Sequence, residues 1–191
     1  AHPEQRSTLY VNDIVGDYQG RIWELVIDGV GYCTEENDTV RLLTLNGQPV
    51  KATALKAEKE ELWIATADTL LVYDTHLSLK RTLVFSDRHE FLYDVTDYDF
   101  RHYLVCTGRK QLWLLDKESG RLLPPPFRPA EGVHHLYADS QGCFWISYYG
   151  KGVQRFRPDG TSVDIYSTRL SNLSNDIVLD IAEWLDYIWI A

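Results

Sequence analysis

The 191-residue sequence predicts an all-β chain, a β-propeller of four-stranded antiparallel blades with about four and a half blades present as a partial ring. Three observations carry that prediction. An apolar strand bearing a tryptophan recurs at a nearly fixed period. The segments around it are short and rich in Val, Ile, Tyr and Trp, which suit a pleated, half-buried surface. Gly, Pro, Asn and Asp separate them every eight to twelve residues, as turns between short strands require.

The recurring strand reads GRIWELV around Trp23, EELWIAT around Trp63, HYLVCT with Leu104 in the tryptophan position, CFWISY around Trp145 and YIWIA around Trp189. Successive copies lie 40, 41, 41 and 44 residues apart, about the length of four strands with their turns. The whole chain, 1–191, therefore reads as one partial propeller with blades near 8–47, 48–88, 89–130, 131–172 and an incomplete 173–191. Helical arrays of similar period fail on local pattern. Only QPVKATALKAEKEEL has a helical composition, and there the register places a strand around Lys51 to Leu55 and a charged turn before Leu62.

The unit around Trp145 shows how each strand arises. Strand A is predicted over Val133 to Asp139 and leaves through DSQG, with Asp139 at the first turn position and Gly142 free to take positive φ. Strand B is CFWIS, YYGKG connects it to strand C (VQRFR), and Pro158 to Gly160 form a second tight turn. Strand D covers Ser162 to Ser167. The polar link TRLSNLSND then leads to the next strand A, IVLDIAE. Asp17, Gly20 and Trp23 repeat the spacing of Asp139, Gly142 and Trp145.

Bulk properties narrow the function. A formal charge of −9 argues against nucleic acid and against anionic membrane surfaces, both of which need a basic face. No apolar run is long enough to span a bilayer. Cys33, Cys106 and Cys143 contain no CxxC pair and so no zinc signature; buried free thiols are expected, and they leave the compartment undecided. The chain holds no methionine, and DYIWIA breaks off inside a strand pattern, so a portion of a larger propeller is expected.

LSNDIVLDIAEWLDYIWIA, with YADSQGCFWISYYGKGVQRFRPDG before it, resembles the propeller repeats of two-component regulators, the sensor regions of bacterial hybrid histidine kinases. That family's pattern runs leucine-serine-asparagine, an apolar strand, Asp-x-x-Gly-x-x-Trp-Ile-Gly-Thr, then Gly-Leu-x-x-Tyr. The units at Trp145 and Trp189 match well, and the unit at Trp23 matches in turn and tryptophan only. Those at Trp63 and Leu104 keep the period but carry Glu60 and Arg101 at the turn glycine, while Ser147 and Tyr148 replace the Gly-Thr.

The resemblance implies the periplasmic part of an inner-membrane receptor: two propellers, a small β-sandwich, a membrane helix, then kinase and regulator modules outside this segment. It implies an oligosaccharide-like ligand, contacts with the rest of the propeller and adjoining sensor modules, and no cofactor. A homodimer of the full-length receptor is a further expectation.

No catalytic or metal constellation is visible. Adjacent His134 and His135 point to opposite faces of a strand, and no nucleophile elbow occurs. Asp17 and Asp139 are expected to cap their own turns, and Trp23, Trp63, Trp145 and Trp189 to pack between blades. Ligand-binding candidates come from topology, because strands alternate direction and the B–C and D–A connections share one end of the ring. Those connections supply Tyr148, Tyr149, Lys151, Arg109, Lys110 and Asp68, then Arg169, Asn172, Asn175, His89, Glu90 and His134.

Tyr148 and Tyr149 beside two glycines are expected to form an exposed aromatic platform. Leu122 to Pro129, LLPPPFRP, reads as a stiff outer strand and linker, with a proline-motif ligand as the alternative. The leading reading is a non-enzymatic sensor propeller. A protein-contact scaffold and a piece of a catalytic propeller (glycosidase or lyase) remain as alternatives.

Overall fold

The computed structural model describes residues 11–85 and 91–191, and every regular element among them is a β-strand. The chain divides between Thr82 and Leu83 into two compact units.

In the first unit, β1 (Val11–Gly16), β2 (Arg21–Val26), β3 (Gly29–Thr34) and β4 (Asn37–Leu42) form an antiparallel four-stranded sheet in sequence order. A small hairpin follows, β5 (Thr44–Leu45) and β6 (Gln48–Pro49). Its Asn46 and Gly47 both have positive φ, 53° and 77°, as a two-residue turn of this handedness demands. The Asn-Gly pair was a signal for this hairpin that the repeat register passed over. β7 (Ala54–Ala57), β8 (Glu61–Ala65), β9 (Thr69–Asp74) and β10 (Leu79–Val84) form the second sheet, whose last strand carries the division between the units. The strand expected around Lys51 to Leu55 thus begins later, at Ala54. Between the two sheets Trp23, Leu25, Val30, Leu55, Leu62 and Ile64 make one apolar core.

The second unit repeats the scheme. β11 (Leu92–Asp97), β12 (His102–Thr107), β13 (Leu112–Asp116) and the short β14 (Leu122–Leu123) form the third sheet. β15 (Val133–Ala138), β16 (Phe144–Tyr148), β17 (Gly152–Phe156) and β18 (Ser162–Tyr166) form the fourth. β19 (Ile181–Trp184) and β20 (Tyr187–Ile190) pair as a two-stranded sheet. Phe127 is 2% exposed and stacks on Phe144 and Phe156 at 6.0 and 5.0 Å between ring centres, with Tyr98 against Phe144 at 4.9 Å. The proline-rich segment supplies the expected outer strand at Leu122–Leu123, paired with β13, and its phenylalanine anchors the linker that follows in the core.

The first strands of the first, third and fourth sheets carry a recurrent bulge, at Val11/Asp13, Leu92/Asp94 and Val133/His135, while β7 of the second sheet pairs in even register. In the second unit the bulge residues join neighbours. Asp94 Oδ2 accepts the Leu136 N–H at 2.7 Å and lies 2.8 Å from His135 Nδ1, and His135 Nε2 lies 3.3 Å from Asp180 Oδ1. Bulges place this polar relay along one edge of the sheets without breaking their apolar faces.

Trp23, Trp63 and Trp145 are buried on the second strands of their sheets, with exposures of 0, 2 and 4%. Trp145 pairs with Tyr137 on β15 and with Arg155 on β17. Each buried indole needs a partner for its N–H. Trp23 Nε1 donates to Asp17 Oδ2 at 2.8 Å and Trp145 Nε1 to Asp139 Oδ2 at 2.9 Å, while Oδ1 of each aspartate accepts backbone N–H groups of its own turn. A guanidinium completes each set: Arg21 on Asp17 and over the Trp23 ring, Arg155 on Asp139 at 2.9 Å and over the Trp145 ring. Burial pushes the Asp17 carboxyl up, but the Trp23 indole, the Arg21 side chain and turn N–H groups outweigh it and hold the group below its ordinary value.

Trp63 solves the same problem from another position. Its Nε1 donates to Glu61 Oε2 at 2.9 Å, and Arg81 of β10 binds both oxygens of Glu61. Where Leu104 occupies the slot there is no N–H to satisfy, and Asp99 serves its turn and His102 instead.

Trp189 departs from the expected buried position: it is 61% exposed, and β20 pairs only with β19 among the described residues, so nothing lies over that face of the indole. The cysteines are free, with Cys106 buried and Cys33 and Cys143 only half-buried, which corrects the expectation of uniform burial. Replacing Trp145 by alanine is expected to cost about 3–5 kcal/mol through the cavity it leaves. Trp189→Ala should cost within about 0.5 kcal/mol, as other exposed changes do. Denaturant unfolding of the two variants measures the difference, and equal costs would contradict the burial assignment.

Candidate functional site

The site assembles at the end of the third and fourth sheets where first strands begin and second strands turn into third strands. In the third sheet the turn after β12 carries Arg109 and Lys110. Lys110 is held at a φ of 61°, a left-handed conformation that non-glycine residues take up rarely. Gly108 N–H donates to Phe91 O at 2.8 Å, which ties this turn to the start of β11. The corresponding turn of the fourth sheet is tied in the same way, by the Tyr149 N–H to Gly132 O at 3.1 Å.

The end of β16 separates the two tyrosines of that turn. Tyr148 is the last residue of β16, 3% exposed, with its hydroxyl donating to Gln154 Oε1 at 3.1 Å, and burial pushes its phenol well above the ordinary value. The expectation of a paired platform is corrected accordingly: Tyr148 belongs to the core, and Tyr149 alone is open, at 69% exposure. Gly150 and Gly152, at φ values of 68° and 78°, turn the chain immediately after it. A side chain at Gly152 would collide with the Tyr166 carbonyl, so this turn requires glycine there.

Tyr149 does not stand alone. Its ring lies 6.2 Å from His134, and His134 lies 5.8 Å from Tyr93 in an edge-on arrangement. The Tyr93 hydroxyl and His134 Nε2 are 3.4 Å apart, and the Lys110 ammonium rests against the face of Tyr93. His134 Nδ1 is buried without a hydrogen-bond partner among the described residues. Burial first, then the nearby charges of Lys110 and His135, hold the His134 imidazole below its ordinary value, with Asp94 opposing. It is therefore predominantly neutral at pH 7. The set offers an open aromatic face, a cation and a histidine on a rigid frame.

Three of the candidates read from sequence, Lys110, His134 and Tyr149, come together here. Tyr93 was missed, because a single tyrosine near the start of a strand has no repeat partner to mark it. Lys151 is exposed beside them and donates to the Glu131 carbonyl at 3.3 Å, and Arg109 is exposed on the turn that carries Lys110.

Other candidates serve their own loops. Asn175 Oδ1 accepts the Ile177 N–H, and exposed Arg169 helps to hold the Asp176 carboxyl down, after the Thr168 backbone and hydroxyl. Asn172 is exposed in the same link, and Asp68 accepts the Thr69 hydroxyl in the first unit. His89 and Glu90 lie outside the described residues. Among the described residues no group of three or more His, Cys, Asp or Glu side chains is placed to hold a metal, and no helix is long and apolar enough to cross a membrane.

Comparison with solved structures adds the fold's relatives. The chain is similar to the extracellular domain of a hybrid two-component system of B. thetaiotaomicron, with a TM-score of 0.67 and 17% identity over 97% of this chain and 26% of that one. A second such domain from the same organism matches with a TM-score of 0.66 and 15% identity, over 97% and 26%. The WD40 domain of Neurospora crassa Pan2 matches with a TM-score of 0.58 and 14% identity, over 86% and 52%. The fold is a β-propeller. No family model and no curated protein matches the sequence. The chain spans about a quarter of the length of the two-component domains it resembles.

The histidine offers a direct check on the site. Ring NMR should show His134 titrating below the ordinary 6.5, and Lys110→Gln should move that midpoint upward by removing a neighbouring charge. An unchanged midpoint in the variant would contradict the placement of Lys110.

Proposed function

We propose that this chain is part of a ligand-sensing extracytoplasmic propeller of a hybrid two-component system, and that it recognises an oligosaccharide or glycan fragment. One observation carries the reading. Tyr149 is open at 69% exposure on a turn that a backbone hydrogen bond ties to Gly132, with His134 beside it and Lys110 further along the row, against Tyr93. An open aromatic face on a rigid turn suits the apolar face of a pyranose ring, and flanking polar groups suit its hydroxyls. Similarity to extracellular sensor domains supports the sensing role and the extracytoplasmic location.

In this reading the segment does no chemistry, and kinase activity resides elsewhere in the receptor. Ligand capture biases the packing of adjoining sensor modules or of a receptor dimer, by no more than the ligand's difference in affinity between the two arrangements.

Glycan-array screening followed by calorimetric titration of the hit tests it. Tyr149→Ala should weaken binding at least about tenfold, the scale of a lost stacking contact. Its thermal midpoint should stay within about a degree of the parent, because exposed side chains contribute little to stability. Binding that survives the substitution would place the ligand elsewhere. Absence of saccharide binding would favour a protein-contact scaffold.

A further inference from the structure

The charges around the Tyr149 turn carry the proposal further. The chain has a net charge of −9, yet the turns at this end of the third and fourth sheets carry Lys110, against Tyr93, and Lys151, two residues after Tyr149. Lys110 is partly buried, its backbone fixed in the left-handed region and its ammonium against Tyr93, and it pairs with no carboxylate among the described residues. Lys151 reaches only a backbone carbonyl, that of Glu131.

Among the described residues the acidic side chain acting on His134 is Asp94, which is already engaged by the Leu136 N–H and by His135. It opposes but does not cancel the positive influence of Lys110 and His135 on that imidazole. A partly buried ammonium that pairs with no carboxylate among the described residues, in the row that leads through Tyr93 and His134 to the exposed Tyr149, favours a ligand that brings the negative charge itself.

Resting on the reading of this site as a saccharide site, we propose that the Tyr93–Lys110–His134–Tyr149 site takes an anionic saccharide. A pyranose ring lies on Tyr149, and a carboxylate or sulfate further along the saccharide, over the His134–Tyr93 end of the row, is met by Lys110. Lys151 adds long-range attraction at the rim. A sulfate and a carboxylate share this chemistry, and the choice of probes separates them.

The test is calorimetric titration of the full chain with tetragalacturonic acid, its methyl ester and a sulfated N-acetylgalactosamine disaccharide, beside the neutral saccharides of the array. The methyl ester keeps the rings and loses the charge. At least one anionic probe should bind about tenfold or more tightly than its uncharged counterpart. That preference should shrink several-fold in Lys110→Gln and at about 0.5 M salt, where charge attraction is screened. The variant's thermal midpoint checks that it is folded, and Lys151→Gln, on an exposed side chain, gives a second and smaller loss. Preference for the carboxylate or the sulfate probe assigns the group. Equal binding of acid and ester, or a preference that survives Lys110→Gln, overturns the anionic assignment while leaving a saccharide site in place. Binding of no saccharide at all overturns the site reading and this assignment with it.

Discussion

Burying an indole inside a sheet stack is favourable when its N–H finds an acceptor, and the three buried tryptophans of the repeat position meet that requirement. Trp113 Nε1 on β13, by contrast, is buried without a partner among the described residues. Three buried tryptophans each donate to a carboxylate at 2.8–2.9 Å, and each carboxylate also binds an arginine. The carboxylate comes from the turn before the strand at Asp17 and Asp139, and from the strand itself at Glu61. The arginine comes from the second strand at Arg21, the third at Arg155 and the fourth at Arg81. The chemistry is retained while its position in the sequence moves. The Asp17 and Asp139 sets bind the entry turn to the second strand, the Glu61 set binds the second strand to the fourth, and in each a charge that would be costly alone is compensated by two donors.

A frame held in this way determines what its far end can present. Because β16 is buried on both faces along its whole length, Tyr148 as its last residue is buried with it, and Tyr149, the first residue of the turn, lies outside. The close approach of Gly152 to the Tyr166 carbonyl and the backbone bond to Gly132 keep Tyr149 from folding back. Tyr93 and His134 arrive at the same place because β11 and β15, the first strands of their sheets, lie side by side, joined through Asp94. The candidate site is thus a by-product of sheet stacking in the second unit.

Much of the fold was legible in the sequence. The near-constant spacing of the tryptophan strands and the Asp-x-x-Gly turns placed the strands of the fourth sheet within a residue or two, and the strand register overrode the helical composition before Leu62. The departures have physical causes. Two tyrosines before a glycine read as a turn, yet Tyr148 extends the strand and packs inward. Trp189 shares the sequence pattern of its counterparts, but among the described residues its strand pairs only with β19 and its indole is exposed. Glu61 could not be recognised as an indole acceptor, since it sits two residues from Trp63 instead of six, and its arginine is distant in sequence. Of the site, the sequence named the connections that carry Lys110, His134 and Tyr149. Tyr93 becomes visible only when neighbouring sheets are stacked.

The account's central claim, that carboxylates lock the buried indoles in place, is tested most directly by hydrogen exchange at the tryptophan Nε1–H groups, followed by NMR. Trp23, Trp63 and Trp145 should exchange slowly, while the exposed Trp184 and Trp189 exchange at rates close to those of free indole. Asp139→Asn should accelerate the Trp145 signal and leave Trp23 and Trp63 protected. Rapid exchange at Trp145 in the parent protein, or protection unaffected by loss of the Asp139 charge, would contradict the account.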